Sequence, residues 1–213
     1  MPTSRPGVPV IGLVGGVGSG KSYLAKQLQK HHPLQIVDAD AVGHAVLKEP
    51  SVKEQIRRRF GEAVFDASGE IDRRRMGELV FGSGGAQRAN RGALEQIVHP
   101  RITEILTSQI AAARGQPGVE LVVLDAALLL EAGWRRLCDL VLFVDVPEAE
   151  RRRRVEATRG WNGAQHAARE ESQFDLARKR READDVVDNS QSVESALRQI
   201  EAVLSRTVRS QPA

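Results

Sequence analysis

The segment with the clearest chemical meaning is residues 15–22, which read GGVGSGKS. This fits the pattern G-x-x-x-x-G-K-[ST], in which glycines let the backbone bend so that successive N–H groups and the positive end of the next helix converge on a phosphate. In such a loop Lys21 reaches the β- and γ-phosphates and Ser22 binds Mg²⁺. The alternative is a glycine-rich turn that binds nothing. The position of the motif between an apolar strand and a helix favours phosphate binding.

Asp40 is a candidate base for an acceptor hydroxyl. It follows the second predicted strand, whose carboxyl end should face the same crevice as the phosphate-binding loop. There it could accept a proton from an attacking hydroxyl, although the spacing fits equally well an N-cap of a helix over residues 41–47. His44 lies one helical turn after Asp40 and could share its face; the alternative is an ordinary surface or core histidine.

Two further carboxylates lie at strand ends and could serve a metal ion. Asp38 ends the second strand, where it could help with metal binding or positioning. Asp125 ends the third strand, the usual place for the acid that holds Mg²⁺ through water in a nucleotide-binding fold of this kind. The alternative for Asp125 is an exposed strand-end carboxylate without a metal.

Arginines could supply positive charge to a transferring phosphate. Residues 151–154 are four consecutive arginines, and on a helix that advances about 100° per residue they cannot all face one ligand. Arg159 and Arg169 flank the turn of a predicted helical pair, where a mobile lid could bring a guanidinium onto the phosphate and exclude water. For most basic residues of this segment the alternative is a solvated helix face.

The elements that must position these residues follow from hydrophobic periodicity. Short apolar runs predict five buried strands, the first of which leads into the glycine loop. We therefore predict an α/β P-loop fold of three layers, with a five-stranded parallel sheet, a helical insertion and a helical lid. The predicted division is a nucleotide-binding core of residues 1–40, 116–146 and 185–205, a helical domain of residues 41–115, a lid of residues 147–184 and a tail of residues 206–213. The last helix is predicted over residues 192–204 and a frayed tail from residue 207.

Composition excludes several classes of protein. The 213 residues are 41% hydrophobic and 28% charged, which argues against global disorder, and there is no apolar run of about 20 residues that would suggest a membrane span. A net charge of +3 and 4% aromatic residues do not suggest nucleic-acid binding. One cysteine, Cys138, and no signal-peptide pattern lead us to expect a cytoplasmic protein, without nucleic-acid or membrane partners.

The ordered set of motifs resembles the dephospho-coenzyme A kinase family, over about residues 10–204. The resemblance rests on residues 11–22, on Asp38-Ala39-Asp40 with His44, on residues 94–102 around His99-Pro100, on residues 125–131, and on Gln173, Lys179 and residues 183–189. The chain departs from the usual family pattern at Ala127 and Leu130, where a proline and a phenylalanine are common, and in the lid turn Gly160-Trp161-Asn162-Gly163.

The resemblance implies transfer of the γ-phosphate of ATP to the ribose 3′-hydroxyl of dephospho-coenzyme A, the last step of coenzyme A synthesis, with ATP and Mg²⁺ as cofactors. Asp40 matches the catalytic base, and the helical insertion matches the acceptor-binding domain. The implied assignments are these: catalytic Asp40, Lys21, Arg159 and Arg169; ATP-binding Gly16, Gly18, Ser19, Gly20, Lys21, Ser22, Tyr23 and, at adenine, Asn189; acceptor-binding Asp38, His44 and His99; metal-binding Ser22 and Asp125. We expect a small-molecule substrate and a monomer or weak oligomer.

Other functions fit the phosphate-binding loop alone. A nucleoside monophosphate kinase on the same scaffold would differ in its acceptor. A GTPase switch lacks support because no N-K-x-D pattern is present and the one D-x-x-G match, residues 66–69, lies in the helical insertion. An ATPase that remodels nucleic acid would use the basic lid and bind DNA or RNA in a salt-sensitive way.

Overall fold

The computed structural model describes residues 7–82 and 84–209, and within them five strands form one parallel sheet. The strands are β1 Val10–Gly15, β2 Leu34–Asp38, β3 Leu121–Asp125, β4 Leu140–Asp145 and β5 Asp185–Asp188. They lie in the order β2-β3-β1-β4-β5. The α-helices of these residues are α1 Lys21–His31, α2 Ala39–Val46, α3 Pro50–Phe60, α4 Arg73–Val80, α5 Gly85–Gly115, α6 Glu148–Arg159, α7 Gly163–Glu171, α8 Leu176–Glu182 and α9 Val193–Arg209. This confirms the predicted fold class.

Strand β1 lies at the centre of the sheet, and all of its residues are buried. A parallel strand covered on both faces needs a continuous apolar sequence, which explains why β1 does not alternate with polar residues. Gly12 in its middle allows close packing, because a Cβ there would lie 2.6 Å from Leu129 Cδ1 and 2.8 Å from Cys138 Sγ. The segment after β3 therefore packs directly on β1.

The sheet register aligns the acidic ends of the strands. Asp38 at the end of β2 is the register partner of Asp125 at the end of β3, and Asp145 of β4 is the partner of Asp188 of β5. In a parallel sheet with right-handed crossovers the carboxyl ends share one edge, which is where ligands bind in this class of fold. The phosphate-binding loop follows β1 at that edge.

The unit Ala39–Ser108 is helical, as predicted for the insertion, but its bounds differ from the predicted residues 41–115. It contains α2, α3, α4, most of α5, a short 3-10 helix Glu62–Val64 and an isolated antiparallel bridge between Phe65 and Ile71. Among the described residues, no helix is long and apolar enough to cross a membrane.

Several predicted boundaries need correction. The lid segment forms three helices rather than a pair, because Asp175 caps a separate helix α8 by accepting a hydrogen bond of 2.7 Å from the Arg178 N–H. Helix α2 begins at Ala39, so Asp40 lies in its first turn and is not an N-cap. Helix α9 continues to Arg209, past the predicted end at residue 204, because no glycine or proline interrupts it. The remaining tail, residues 210–213, lies outside the described residues.

A buried lysine ties α8 to the loop after β3. Lys179 is 1% exposed, and its ammonium group lies 3.0 Å from Glu131 Oε1 and donates a hydrogen bond of 2.7 Å to Gln173 Oε1. Glu131 Oε1 also accepts a hydrogen bond of 2.8 Å from the Phe174 N–H. The ion pair with Lys179 and the hydrogen bond from Phe174 connect Glu131 to a segment more than 40 residues away in the sequence, and together they fix the start of α8.

Replacing Lys179 by methionine should strongly destabilise the fold. The change leaves the Glu131 carboxylate buried without its cation, which costs on the order of 3–5 kcal/mol in the free energy of unfolding. Urea denaturation measures the effect. The matched control is Arg181→Met on the same helix, an exposed side chain for which we expect a loss of at most about 0.5 kcal/mol. Equal losses in the two variants would contradict the prediction.

Candidate active site

The phosphate-binding loop connects β1 to α1, and its backbone depends on glycine. Gly15, Gly18 and Gly20 have φ values of 154°, 83° and 87°, a region that residues with side chains rarely adopt. Gly20 in the left-handed conformation is also the N-cap of α1. The loop therefore turns sharply into the helix, so that the first N–H groups of α1 lie at the carboxyl edge of the sheet.

The Lys21 side chain is held in place by backbone carbonyl oxygens of the loop. Its ammonium group donates hydrogen bonds of 3.2 Å to both the Gly15 and the Gly16 carbonyl oxygens, and one of 3.4 Å to the Ser19 hydroxyl. These contacts place a positive charge beside the N-terminus of α1. The arrangement is suited to an anion with several phosphate groups.

A cavity of about 590 Å³ opens beside the loop. Part of its wall is the loop and the start of α1, and the rest comes from α6 and from the segment between β5 and α9. The lining residues are Gly18, Gly20, Lys21, Ser22, Tyr23, Arg154, Val155, Thr158, Arg159, Asn189, Gln191 and Val193. This volume is within the range of about 300–1,000 Å³ that is usual for small-molecule sites.

Asn189 joins the end of β5 to the phosphate-binding loop. It is 4% exposed, and its side-chain amide donates a hydrogen bond of 2.8 Å to the Ser19 carbonyl oxygen. The Asn189 carbonyl oxygen in turn accepts a hydrogen bond of 2.9 Å from Arg154. Sequence reasoning placed Asn189 only at the adenine. The structure adds a contact with the loop, and the residue also lines the cavity.

The oxygen atoms expected to bind a metal lie on three neighbouring elements. Ser22 is in the first turn of α1, and Asp125 ends β3 in register with Asp38. A hydroxyl and carboxylates are hard oxygen ligands of the kind Mg²⁺ prefers, usually with several waters kept. Over the described residues, no group of three or more His, Cys, Asp or Glu side chains is placed to hold a metal ion. The fit of Ser22 and Asp125 to Mg²⁺ rests on the chemistry of their oxygen donors.

The candidate acceptor residues His44 and His99, together with Asp40, belong to the unit Ala39–Ser108. Asp40 and His44 are both exposed and lie one turn apart on α2, so the structure places them on one helix face, as the spacing predicted. His99 lies on a different helix, α5, where burial lowers the pKa of its imidazole despite the opposing effect of Glu95. Its ring is accordingly neutral near pH 7.

The consecutive arginines at 151–154 differ in burial, as expected for neighbours that point in different directions from a helix. Arg151 is buried, whereas Arg152 and Arg153 are exposed and paired with Glu148 and Glu150. In the lid turn, the Arg159 and Arg169 guanidinium groups lie 5.0 Å and 5.5 Å from the centre of the Trp161 ring. Such cation–π contacts bring the two candidate lid arginines together on one aromatic side chain.

Three residues at the loop were missed as functional candidates. Arg151, His166 and Glu170, from α6 and α7, all contact the backbone of Val17. Arg151 lies within an arginine run and the other two lie on a charged helix, for which the sequence predicts a solvated face. The available signal was the spacing of four residues between His166 and Glu170, which places both on one face of α7.

The family model and the sequence relatives agree on one family. The family model described as dephospho-CoA kinase matches residues 9–195. The dephospho-CoA kinase of Rhodopirellula baltica is 33% identical over 208 residues, 98% of this chain and 95% of that protein. The enzyme of Carboxydothermus hydrogenoformans is 35% identical over 201 residues, 93% and 94% of the two chains. Among solved structures, TT1252 from Thermus thermophilus matches with a TM-score of 0.77 and 33% identity, covering 93% of this chain and 97% of that one.

The matched residues contain the phosphate-binding loop, the acidic strand ends and Asn189, which are the parts from which the site is built. A family match over most of the chain and two relatives above 30% identity over nearly their full lengths lead to the same conclusion. The chain is a kinase and belongs to the dephospho-CoA kinase family.

Proposed function

We propose that this protein transfers the γ-phosphate of ATP to the ribose 3′-hydroxyl of dephospho-coenzyme A, giving coenzyme A and ADP. The observation that carries the proposal is that the glycine loop, with the Lys21 ammonium bonded to it, lies in the wall of a cavity that Asn189 and Arg159 also line. Family membership identifies the acceptor, because the relatives share nearly the whole length of the chain.

The loop and Lys21 stabilise the charge on the phosphates. Phosphoryl transfer needs little covalent help from a protein, so the site acts through positioning and electrostatic stabilisation. The backbone of Gly16, Gly18, Ser19 and Gly20 would surround the phosphates, and the Lys21 ammonium would supply positive charge to the β- and γ-oxygens. Tyr23 and Asn189 line the same cavity and would serve the nucleoside.

Ser22 and Asp125 would hold a Mg²⁺ ion, with Asp38 next to Asp125 in the register. When bound, Mg²⁺ neutralises phosphate charge and orients the transferred group. The fit rests on the hard oxygen donors at the carboxyl edge of the sheet.

Asp40 receives the proton of the acceptor hydroxyl. It lies two residues after the end of β2, on an exposed helix face that it shares with His44. We assign His44, His99 and Asp38 to acceptor binding. Arg159 and Arg169, held on Trp161, supply positive charge to the transferring phosphate.

A reducing compartment, the cytoplasm, suits the single cysteine. Cys138 is buried, and burial raises the pKa of its thiol to about 12. The thiol therefore stays protonated near neutral pH, and the reactive thiolate does not form. We propose a cytoplasmic enzyme that acts on small molecules as a monomer or weak oligomer, without nucleic-acid or membrane partners.

The acceptor assay tests the proposed reaction directly. ADP release from Mg-ATP is followed with dephospho-coenzyme A, with nucleoside monophosphates, and without any acceptor. We expect turnover only with dephospho-coenzyme A. Turnover with a nucleoside monophosphate alone would indicate a nucleotide kinase, and equal release without acceptor would indicate an ATPase; either result contradicts the proposed acceptor.

Lys21→Ala should lower kcat by about 100-fold or more, because the loop loses the cation that stabilises charge on the phosphates. Steady-state kinetics and a thermal unfolding scan measure activity and folding together. Lys26→Ala is the matched control, since Lys26 is exposed on the same helix. Normal turnover in folded Lys21→Ala would remove Lys21 from the mechanism.

Asp40→Asn should keep nucleotide affinity and lose roughly 10²–10⁴-fold in kcat, because an amide cannot accept the hydroxyl proton. Titration with ADP and steady-state kinetics with both substrates separate binding from chemistry. Glu78→Gln, an exposed carboxylate change in the same helical unit, serves as the control. A kcat within twofold of wild type would show that Asp40 is not the base.

A further inference from the structure

We propose that Arg151, His166 and Glu170 are positioning residues of the phosphate-binding loop. By holding the main-chain N–H and C=O groups of Val17, they fix the position of the neighbouring loop amides that receive the β- and γ-phosphates. This inference rests on the proposed role of the loop in binding ATP and extends it to three side chains of α6 and α7 that do not line the nucleotide cavity.

The three side chains converge on one loop residue. The Val17 carbonyl oxygen accepts hydrogen bonds from Arg151 Nη1 at 3.3 Å and from His166 Nε2 at 3.2 Å. The Val17 N–H donates to Glu170 Oε1 at 3.3 Å, and the same carboxylate oxygen forms an ion pair with Arg151. Both polar main-chain groups of Val17 are thus bonded to side chains that lie more than 130 residues away in sequence.

Burial makes this contact rigid. Arg151 and His166 are each 2% exposed, so their polar groups have little access to water, and losing a partner would leave them unsatisfied. Arg151 is fixed a second time, because its Nε donates a hydrogen bond of 3.1 Å to the Val146 carbonyl oxygen just after β4. The guanidinium therefore links the segment after β4 to the loop after β1.

Two loop glycines pack closely against α6 and α7. A Cβ on Gly16 would lie 2.5 Å from Arg151 Nη1 and 2.9 Å from Glu170 Oε1, although the φ of Gly16 is not in the positive region. A Cβ on Gly18 would lie 2.5 Å from the Arg151 carbonyl oxygen. At Gly16 the reason for glycine is therefore the close approach of the Arg151 and Glu170 side chains and not the backbone conformation.

The role of His166 follows from its partner. A carbonyl oxygen only accepts, so Nε2 carries the proton that is donated to Val17. Within residues 7–82 and 84–209, Nδ1 has no hydrogen-bond partner, and Glu170 Oε2 lies 3.9 Å from it. The contact with the loop is thus the one hydrogen bond that the described structure assigns to this buried ring, which makes it a specific target for substitution.

Paired substitutions at His166 test the proposal. His166→Met removes the donor at similar size, whereas His166→Gln can still donate from its Nε2 to Val17. We expect His166→Met to raise the Kd for ADP and the KM for ATP roughly tenfold, as for the loss of one hydrogen bond with its buried partner, with the KM for dephospho-coenzyme A within about twofold. His166→Gln should restore most of the affinity for ADP.

Glu170 provides a second and independent test. Glu170→Ala should raise the Kd for ADP to a similar degree, and Glu170→Gln, which retains an acceptor for the Val17 N–H, should lose less. The matched control is Glu171→Ala, an exposed carboxylate on the same helix, for which we expect wild-type affinity. Should Glu170→Ala fail to fold, the contrast between His166→Met and His166→Gln decides the question.

Two results would overturn the inference. One is a Kd for ADP within twofold of wild type in the folded His166→Met and Glu170→Ala proteins, and the other is a parallel loss of affinity for ATP and dephospho-coenzyme A, as general destabilisation produces. Lys21→Ala in the same experiments separates this failure from failure of the proposed function. Unchanged ADP binding in His166→Met together with the predicted loss of kcat in Lys21→Ala rejects only the positioning role, whereas wild-type kcat and wild-type ADP affinity in Lys21→Ala reject the loop as the ATP site.

Discussion

The backbone of the phosphate-binding loop bonds mainly to groups outside the loop, and much of this structure follows from that constraint. Within the loop the Ser19 N–H donates to the Gly16 carbonyl oxygen, and four side chains supply further donors to the loop carbonyl oxygens. Lys21 donates to the Gly15 and Gly16 oxygens, Arg151 and His166 donate to the Val17 oxygen, and Asn189 donates to the Ser19 oxygen. The loop is therefore held in shape by α1, by α6 and α7, and by the end of β5.

This arrangement gives the glycines two separate functions. Gly15, Gly18 and Gly20 adopt positive φ values, as a tight turn around a phosphate predicts. Gly16 does not, and its missing side chain makes room for Arg151 and Glu170 on the outside of the loop. The motif therefore encodes a surface for packing helices as well as a cradle for an anion.

The sequence allowed prediction of the features that depend on local patterns. The buried strands and the positions of Asp38 and Asp125 at strand ends follow from apolar runs and from the rule that parallel strands end at one edge, and the glycine loop follows from its motif. The register of Asp38 with Asp125 was not predicted, because it depends on the strand order. Arg151 shows where prediction from the sequence ends. It is followed by three more arginines, and only the direction in which α6 packs determines that Arg151 is buried against the loop while its neighbours are more accessible to solvent. The sequence did not predict the third lid helix for a related reason. Nothing in the sequence distinguishes Asp175 from other polar residues, and its role as the N-cap of α8 is visible only in the structure.

The contacts at Val17 also limit how the lid arginines can approach a phosphate. Arg151 near the start of α6 and His166 with Glu170 on α7 are attached to the same loop residue, while Arg159 and Trp161 lie between these attachments. Arg159 is about 12 Å along α6 from Arg151, at about 1.5 Å per residue. A rigid swing of α6 and α7 would break the hydrogen bonds of two buried side chains, which is unfavourable. Movement of Arg159 is therefore least costly when it is confined to the turn around Gly160, where the lid already departs from regular helix. Arg169 lies on α7 between His166 and Glu170 and is held in place with them.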